Sequence, residues 1–332
     1  MDHIVVVLRS GIEILERGRN GWERSRHHPA PSLECVAVHP DVPERLFVGS
    51  FEAGIQRRTD GDGQFETVGD DTMPAAITSL AIDPSDPDTI LVGTEPSRLY
   101  RSDDGGDTWT HIEGLTAVSS ASEWSFPPRP DTHHVRWIEI DPTDPDRWYV
   151  GIEAGALVVT PDGGETWIDR PPGSQYDNHT LATHPADPGR VYSAAGDGYA
   201  ESDDGGESWD DREAGLDHRY VWGLAVDPSD PEIRIVSAAH SASRAHRASS
   251  AASYLYRKTG DLPWERLSET GHPSGEGVLR AALAAGTTAG EFVAASNRGI
   301  FHTTSAGDHW ERITDQWQDE YGESTVRAVT TI

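Results

Sequence analysis

The sequence is poor in cysteine, lysine and uninterrupted apolar stretches, and each shortage excludes a structural feature or a class of partner. Cys35 is the single cysteine among 332 residues, so no intramolecular disulfide can form. Lys258 is the only lysine among 27 basic residues, against 56 acidic ones, for a formal net charge of -29. No stretch approaches the roughly 18 apolar residues of a transmembrane helix. Because phosphate binding needs a basic face, we predict that the chain binds neither nucleic acid nor a membrane.

The composition also indicates the cellular compartment and the salt conditions in which the protein works. A lone cysteine fits a reducing interior, and the segment Met1 to Leu8 lacks the basic start of a signal peptide and is typical of a strand. Acidic residues spread over the whole chain, with arginine in place of lysine, are typical of proteins kept soluble in high salt. We therefore expect a cytoplasmic protein of halophilic type, with a merely acidic low-salt protein as the alternative.

Glycine, aspartate and tryptophan are, by contrast, plentiful and periodic. The turn Ser102-Asp103-Asp104-Gly105-Gly106-Asp107-Thr108-Trp109 recurs at 160–167 and 202–209, and weaker copies surround Trp22, Phe65, Trp264 and Trp310. From Phe65 onward the aromatic residues of the copies lie 42 to 58 residues apart. This spacing is the one expected for the four-stranded blades of a β-propeller.

Each repeat presents its strands in the same order. An apolar strand ends in Asp-Pro or His-Pro, as in residues 79–84, and a second apolar strand follows a polar turn. A third strand leads into the Asp-rich turn, and the aromatic residue opens a fourth. Continuous apolar runs in the first two strands predict that both are buried on their two faces.

The two ends of the chain complete the pattern. Six repeats are complete, and the amino terminus supplies three more strands while the carboxyl terminus supplies one, so together they make a seventh blade without open edges. We predict an all-β fold with almost no helix, a single seven-bladed β-propeller over residues 1–332. The predicted blades lie near 35–68, 79–113, 135–170, 179–213, 222–267, 280–313, and 324–332 with 3–24.

The Ser-x-Asp-x-Gly-x-Thr-Trp turns resemble the Asp-boxes, or BNR repeats, of sialidases, sortilin-type receptors, xyloglucanases and photosystem II assembly factors. The match is strongest at Asp103/Trp109, Asp162/Trp167 and Asp203/Trp209. The resemblance implies the fold, with the aspartate and hydroxyl bonding the turn backbone and the tryptophan packed between sheets. It implies no substrate.

Two of these families fit poorly. Sialidases need an arginine triad, a tyrosine–glutamate pair and an early Arg-Ile-Pro-type segment, usually on six blades, and this chain has no such segment. We therefore do not expect a typical sialidase. The two-propeller xyloglucanases are more than twice as long as this chain.

Two insertions, at 116–135 and 237–253, are predicted at the end of the blades opposite the Asp-rich turns, where function usually lies. Aligning the repeats brings two sets of polar residues to that end. The innermost strands begin at Glu34, Thr78, Arg136, His179, Trp222, Arg280 and Arg327. The corners between second and third strands carry Glu52, Glu95, Glu153, Asp197, His240 and Asn297.

These residues predict a site for a small anionic or carbohydrate-like ligand, since guanidinium groups bind carboxylate or phosphate and tryptophan could stack on a sugar. We expect Arg136→Ala and His134→Ala to abolish binding with thermal stability nearly unchanged. The predicted ligand contacts are Trp124, Arg129, His133, Arg136, Tyr220, Trp222, His240, Arg244, His246, Arg280, Asn297 and Arg327.

Three mechanisms would make this site catalytic. A glycoside hydrolase would use two carboxylates from Glu52, Glu95, Glu153 and Asp197. A uronate lyase would use His134, His179 or Tyr220 as base, with arginines to neutralise the carboxylate. A metal enzyme would draw on His133, His134, His179, His240 and His246, although no spacing matches a zinc signature.

No cofactor is required by the sequence, and a divalent metal is the one that these residues could hold. The competing class is non-enzymatic: a scaffold that docks a protein partner and resembles the photosystem II assembly factors.

Overall fold

A computed structural model describes residues 1–19, 21–61, 63–69, 71–315 and 317–332. Within these ranges the chain forms seven antiparallel sheets, six of four strands and one of five. The protein is an all-β, seven-bladed β-propeller, which confirms the fold expected from the repeats. No helix in the described part of the chain has the length and apolar character needed to cross a bilayer.

The strands are as follows, in chain order. The amino-terminal strands are β1 (His3–Leu8), β2 (Gly11–Gly18) and β3 (Gly21–His27). The next three blades are β4 (Leu33–His39), β5 (Val42–Ser50), β6 (Gly54–Arg58) and β7 (Glu66–Val68); β8 (Ile77–Asp83), β9 (Asp86–Thr94), β10 (Leu99–Ser102) and β11 (Thr110–Ile112); and β12 (Val135–Asp141), β13 (Asp144–Ile152), β14 (Ala156–Thr160) and β15 (Ile168–Asp169). Three further blades are β16 (Asn178–Thr183), β17 (Val191–Ala195), β18 (Gly198–Ser202) and β19 (Asp210–Asp211); β20 (Tyr220–Val226), β21 (Ile233–Ala239), β22 (Ala252–Thr259), β23 (Glu265–Arg266) and β24 (Gly275–Glu276); and β25 (Ala282–Ala285), β26 (Phe292–Ser296), β27 (Gly299–Thr303) and β28 (Glu311–Arg312). The last strand is β29 (Val326–Thr331).

Strands from both ends of the chain share one blade. β29 pairs antiparallel with β1, with Val329 opposite Val6, and the strand order of this sheet is β29-β1-β2-β3. The predicted closure of the seventh blade is therefore confirmed. Pairing between the termini satisfies backbone groups that an open edge would leave exposed.

By internal contacts the chain divides into two compact units. Unit 1 comprises Met1–His27, Ala194–Tyr199 and Arg212–Ile332. Unit 2 comprises His28–Ser193 and Ala200–Asp211.

The second strands of the blades are buried as the sequence predicts. The first strands are buried only in part. Leu46 to Ser50 of β5 are buried at every position, as continuous apolar runs predict. In β4, however, Val36 and Val38 are only half-buried and alternate with buried neighbours. The first strand of this blade thus has one face in the core and one face partly open, because its side chains alternate between the two faces.

Hydrogen bonds close the Asp-rich turns. In the turn that begins at Ser102, Asp104 Oδ1 accepts from Thr108 N at 2.8 Å and Asp104 Oδ2 accepts from the Thr108 hydroxyl at 2.6 Å. Ser102 Oγ accepts from Gly106 N at 2.9 Å. Gly105 and Gly106 have φ of 72° and 89°, a conformation that favours glycine, which explains the paired glycines of the repeat.

The bonding aspartates are one residue later than the sequence indicated in two of the three turns. Asp104, Asp162 and Asp204 make the turn bonds, whereas Asp103 lies 2.6 Å from Arg101 Nε. The later aspartate makes the turn bonds because its carboxylate must contact the residue four positions ahead, as Asp104 contacts Thr108. In the weaker copy before Phe65, Asp62 lies outside the described residues.

The Asp-rich turns and the turns between first and second strands lie at the same end of a blade. Gly105 N donates to Asp88 O at 3.0 Å, and Gly163 N donates to Asp146 O at 2.7 Å. The starts of the first strands and the corners between second and third strands therefore share the other end, as the sequence predicts. This end is called the strand-start end below.

Two short helices interrupt the strands, and the sequence did not predict them. α1 (Ala242–His246) lies in the second insertion, and α2 (Trp317–Tyr321) precedes β29. Single 3₁₀ turns lie at Leu115–Ala117, Ser119–Glu123 and Ala248–Ser250. The second insertion is also shorter than expected, because Ser237 to Ala239 still belong to β21.

Candidate functional site

Polar side chains from neighbouring blades of unit 2 meet at the strand-start end. Two carboxylates follow second strands, two residues come from the first insertion, and the others lie at or just before the starts of β12 and β16. We call this set the carboxylate–imidazole cluster. Its members are Glu95, Arg129, His134, Arg136, Glu153, Asp177 and His179.

The ring of His134 lies between two carboxylates. Its Nε2 is 2.9 Å from Glu153 Oε2, and its Nδ1 is 3.5 Å from Glu95 Oε2. The side chain is 6% exposed, and its ring meets the edge of Phe126 with centroids 4.7 Å apart. The imidazole thus contacts one oxygen of each carboxylate and lies between them.

Arg129 binds Glu95 with both arms of its guanidinium. Nε donates to Oε1 at 2.9 Å and Nη2 donates to Oε2 at 2.5 Å, a bidentate pair. The guanidinium carbon also lies 4.9 Å from the ring centre of Phe51 and 4.8 Å from that of Phe126. The charge of Arg129 is thus already compensated.

Glu153 is ionised despite its burial. Burial alone raises the pKa of its carboxyl, but the hydrogen bond with His134 and the charges of His134, His179 and Arg136 together hold that pKa well below its usual range. The Nε of Arg136 lies 3.7 Å from Glu153 Oε2. A carboxyl that stays ionised cannot serve as the proton donor of a glycosidase, but it can accept hydrogen bonds or bind a cation.

Asp177 is a member of the cluster that the sequence analysis missed. Its Oδ2 lies 3.6 Å from His179 Nε2, and its Oδ1 accepts from Ala154 N at 3.0 Å. The carboxylate and imidazole ligand atoms of Glu153, Asp177 and His179 all lie within 4.8 Å of one another. A signal was present, since residues two apart in extended backbone point to the same side, and Asp177 is two residues before His179.

Tyr176, which directly precedes Asp177 in the chain, carries an exposed aromatic ring. It is 46% exposed, its carbonyl accepts from Gly155 N at 3.0 Å, and the guanidinium of Arg170 lies 5.8 Å from its ring centre. The rings that the sequence proposed for sugar stacking are buried instead. Trp124 is 5% exposed and Trp222 is 7% exposed, so neither offers a ring face to solvent.

The neighbouring histidines of the first insertion diverge, as expected for an extended segment. The His133 ring packs edge-on against Trp124, with centroids 5.4 Å apart, whereas His134 contacts Glu153. Burial lowers the pKa of His133. The corner residue Glu52 accepts a hydrogen bond from the Ser32 hydroxyl at 2.7 Å.

In unit 1, a second cluster of predicted residues forms around Trp222. The Tyr220 hydroxyl and His246 Nε2 are 3.0 Å apart, and His246 Nδ1 accepts from Arg280 Nε at 3.4 Å. The Arg280 guanidinium lies 4.0 Å from the ring centre of Trp222 and donates to Val326 O at 2.9 Å. We call Tyr220, Trp222, His246 and Arg280 the aromatic–arginine cluster.

The other predicted contacts of unit 1 have different surroundings. The Asn297 side chain accepts from Leu279 N and donates to the carbonyls of Gly277 and Gly322, so it is a structural link. Asp197, His240 and Arg244 are exposed, and Arg327 is half-buried on β29. Arg244 donates to Ser250 O at 3.2 Å within its own insertion.

Comparison with known proteins finds similarity to xyloglucanases and no matching family model. The chain is 27% identical over 153 residues to the oligoxyloglucan-reducing end-specific xyloglucanase of Emericella nidulans, covering 40% of this chain and 17% of that protein. It is 27% identical over 301 residues to a probable enzyme of the same name from Neosartorya fischeri, covering 82% of this chain and 31% of that protein. The chain thus spans less than a third of the length of these two relatives.

Solved structures share the fold. An ancestral GH74 enzyme superposes with a TM-score of 0.66 at 15% identity, over 94% of this chain and 40% of that one. The GH74 enzyme of Niastella koreensis gives 0.65 at 17% identity, over 99% and 54%. YCF48 bound to D1 peptide gives 0.58 at 12% identity, over 90% and 91%. At these identities the likeness concerns the propeller alone.

Proposed function

We propose that the protein binds a carbohydrate-like ligand at the strand-start end of unit 2, on the surface formed by Tyr176 and the carboxylate–imidazole cluster. The observation that carries the proposal is the half-exposed ring of Tyr176, which directly precedes Asp177 in the chain and whose carbonyl accepts from Gly155 N, two residues after Glu153. An aromatic face beside fixed hydrogen-bond acceptors suits a sugar ring, whose apolar face packs while its hydroxyls donate. The sequence similarity to xyloglucanases supports the same ligand class.

The charges of the cluster favour a neutral sugar over an anion. Glu95, Glu153 and Asp177 supply three carboxylates, while Arg129 is bound to Glu95 and Arg136 lies against Glu153. An anionic ligand would therefore meet carboxylates and already compensated guanidinium groups. Hydroxyl groups would find acceptors there.

The same geometry favours binding over two-carboxylate hydrolysis. In glycosidases the two carboxyl groups flank the scissile bond, and one of them must carry a proton. Here the His134 ring lies between Glu95 and Glu153, and the lowered pKa of Glu153 keeps it ionised.

A scaffold for a protein partner is the second candidate. It is favoured by one observation, the near-equal coverage of both chains in the superposition with YCF48, 90% and 91%. The xyloglucanase relatives, in contrast, are far longer than this chain.

Titration calorimetry with xyloglucan oligosaccharides tests the proposal through Tyr176→Ala. Loss of the stacking ring should weaken binding about tenfold, equivalent to about 1.4 kcal/mol, with little change in unfolding temperature because the ring is half-exposed. Leu262→Ala, at a 65% exposed position of unit 1, is the matched control and should bind like the wild type. Equal affinity of Tyr176→Ala and wild type would refute the site, and binding of peptides but no sugar would support the scaffold.

A further inference from the structure

We propose that Glu153, Asp177 and His179 form a binding site for a divalent transition-metal ion. This inference goes beyond the sugar-binding function, because it concerns the metal alone and needs no sugar. Two carboxylates and one imidazole converge from the end of β13 and the start of β16. His179 is completely buried, so this is not an acidic patch on an open surface.

The distances are close to those of a metal site. All three ligand atoms lie within 4.8 Å of one another, and Asp177 Oδ2 lies 3.6 Å from His179 Nε2. Ligand atoms about 2.1 Å from a Zn²⁺ ion are at most about 4.2 Å apart. Small side-chain rotations of Glu153 and Asp177 therefore suffice to close the site, with His179 as the fixed ligand.

The donor set selects the type of ion. Imidazole nitrogen suits Zn²⁺ and related transition metals, and carboxylate oxygen suits Mn²⁺ as well, whereas Ca²⁺ and Mg²⁺ take all-oxygen sets. Three protein ligands also leave a coordination position open, as in metal sites that bind water or a substrate. We therefore assign the site to Zn²⁺ or Mn²⁺ over Ca²⁺.

Residues around the three ligands hold them in place, as outer-shell groups do in metal sites. Ala154 N donates to Asp177 Oδ1. His134 contacts Glu153 Oε2 and is itself flanked by Glu95. Arg136 contacts the same Glu153 oxygen and competes with a cation, so we expect micromolar rather than nanomolar affinity.

Titration of chelator-treated protein with ZnCl₂ or MnCl₂, without sugar, tests the site. The wild type should bind one equivalent of metal ion more tightly than its surface histidines bind any further metal ion. In Asp177→Asn that equivalent should weaken at least tenfold, because the amide lacks the charge but can still accept from Ala154 N. Asp211→Asn, at an exposed position of unit 2, is the matched control and should bind like the wild type.

A second variant and a second metal sharpen the result. His179→Asn should weaken Zn²⁺ binding as well. If that buried substitution prevents folding, Asp177→Asn alone tests whether the site binds the metal. CaCl₂ should bind at least tenfold more weakly than MnCl₂. Wild-type binding no tighter than that of Asp177→Asn, or a preference for Ca²⁺, would overturn the proposal. Failure of the wild type to bind xyloglucan oligosaccharides, while it binds the metal as expected, would count against the proposed function only.

Discussion

A histidine contributed by an insertion is central to each of the two clusters, yet the groups around it are opposite in charge. In unit 2 the His134 ring lies between the carboxylates of Glu95 and Glu153. In unit 1 the His246 ring contacts the Tyr220 hydroxyl on one nitrogen and the Arg280 guanidinium on the other. The link before a first strand thus holds a histidine among acids, whereas the corner between a second and a third strand holds a histidine between a cation and a phenol.

The comparison shows that repeat position fixes where a side chain lies but not its chemistry. Residues at the start of first strands and at the corners reach the strand-start end in both units, because blade geometry places them there. Their partners come from insertions that differ in length and composition. The acid-rich environment suits hydroxyl donors and cations, and Tyr176, the residue before Asp177, has an exposed ring.

The largest expected difference between the clusters is in stability when the histidine is removed. His134→Ala leaves the buried Glu153 without its main partner, and breaking a buried charged contact costs about 3 kcal/mol. His246→Ala, in which a half-buried ring loses its hydrogen bond with the Tyr220 hydroxyl and a long one of 3.4 Å from Arg280, should cost less, about 1.5 kcal/mol. Urea unfolding at pH 7 measures both.

Because His134 is buried, we expect His134→Ala to lower the stability and not to leave it nearly unchanged. Equal losses for the two variants would show that the carboxylates of unit 2 gain nothing from the imidazole between them. The two clusters would then not differ in how much their histidines contribute to stability.

A smaller effect is expected on acidification. The pKa of Glu153 is lowered in the folded state, so its contribution to stability is present above the unfolded pKa of about 4.3 and is lost as pH falls through the folded pKa. Between pH 6 and pH 3 the wild type should lose about 1 kcal/mol more than Glu153→Gln. Glu123→Gln, at a 64% exposed position, should follow the wild-type profile. Parallel profiles for Glu153→Gln and wild type would contradict the ionised state of this carboxyl.

The fold could be predicted from the sequence because it is repeated. Repeated copies of one strand pattern, with positive-φ glycine pairs in the turns at 102–109, 160–167 and 202–209, leave few other architectures, and the apolar termini supply the missing blade. The turn aspartates were placed one residue early at Asp103 and Asp203, because two adjacent aspartates look alike in sequence. Only the hydrogen bonds to Thr108 and Ser208 distinguish them.

The site could be predicted only in part. Alignment of the repeats places Glu95, His134, Glu153 and His179 at one end, and the structure brings them together. Asp177 and Tyr176 lie in the link before β16, where no repeat pattern marks them. Trp124 was chosen as an exposed platform because it lies in an insertion, but it packs into the core and donates to Ser120 Oγ at 2.9 Å.

Hydrogen–deuterium exchange with and without a xyloglucan oligosaccharide tests whether the strand-start end of unit 2 binds the sugar. We expect slower exchange in the segments 153–155 and 174–179 of unit 2, which carry Glu153, Tyr176, Asp177 and His179, with no change at 220–222 and 244–247 of unit 1. Protection confined to the unit 1 segments, or absent from both at saturating ligand, would contradict it.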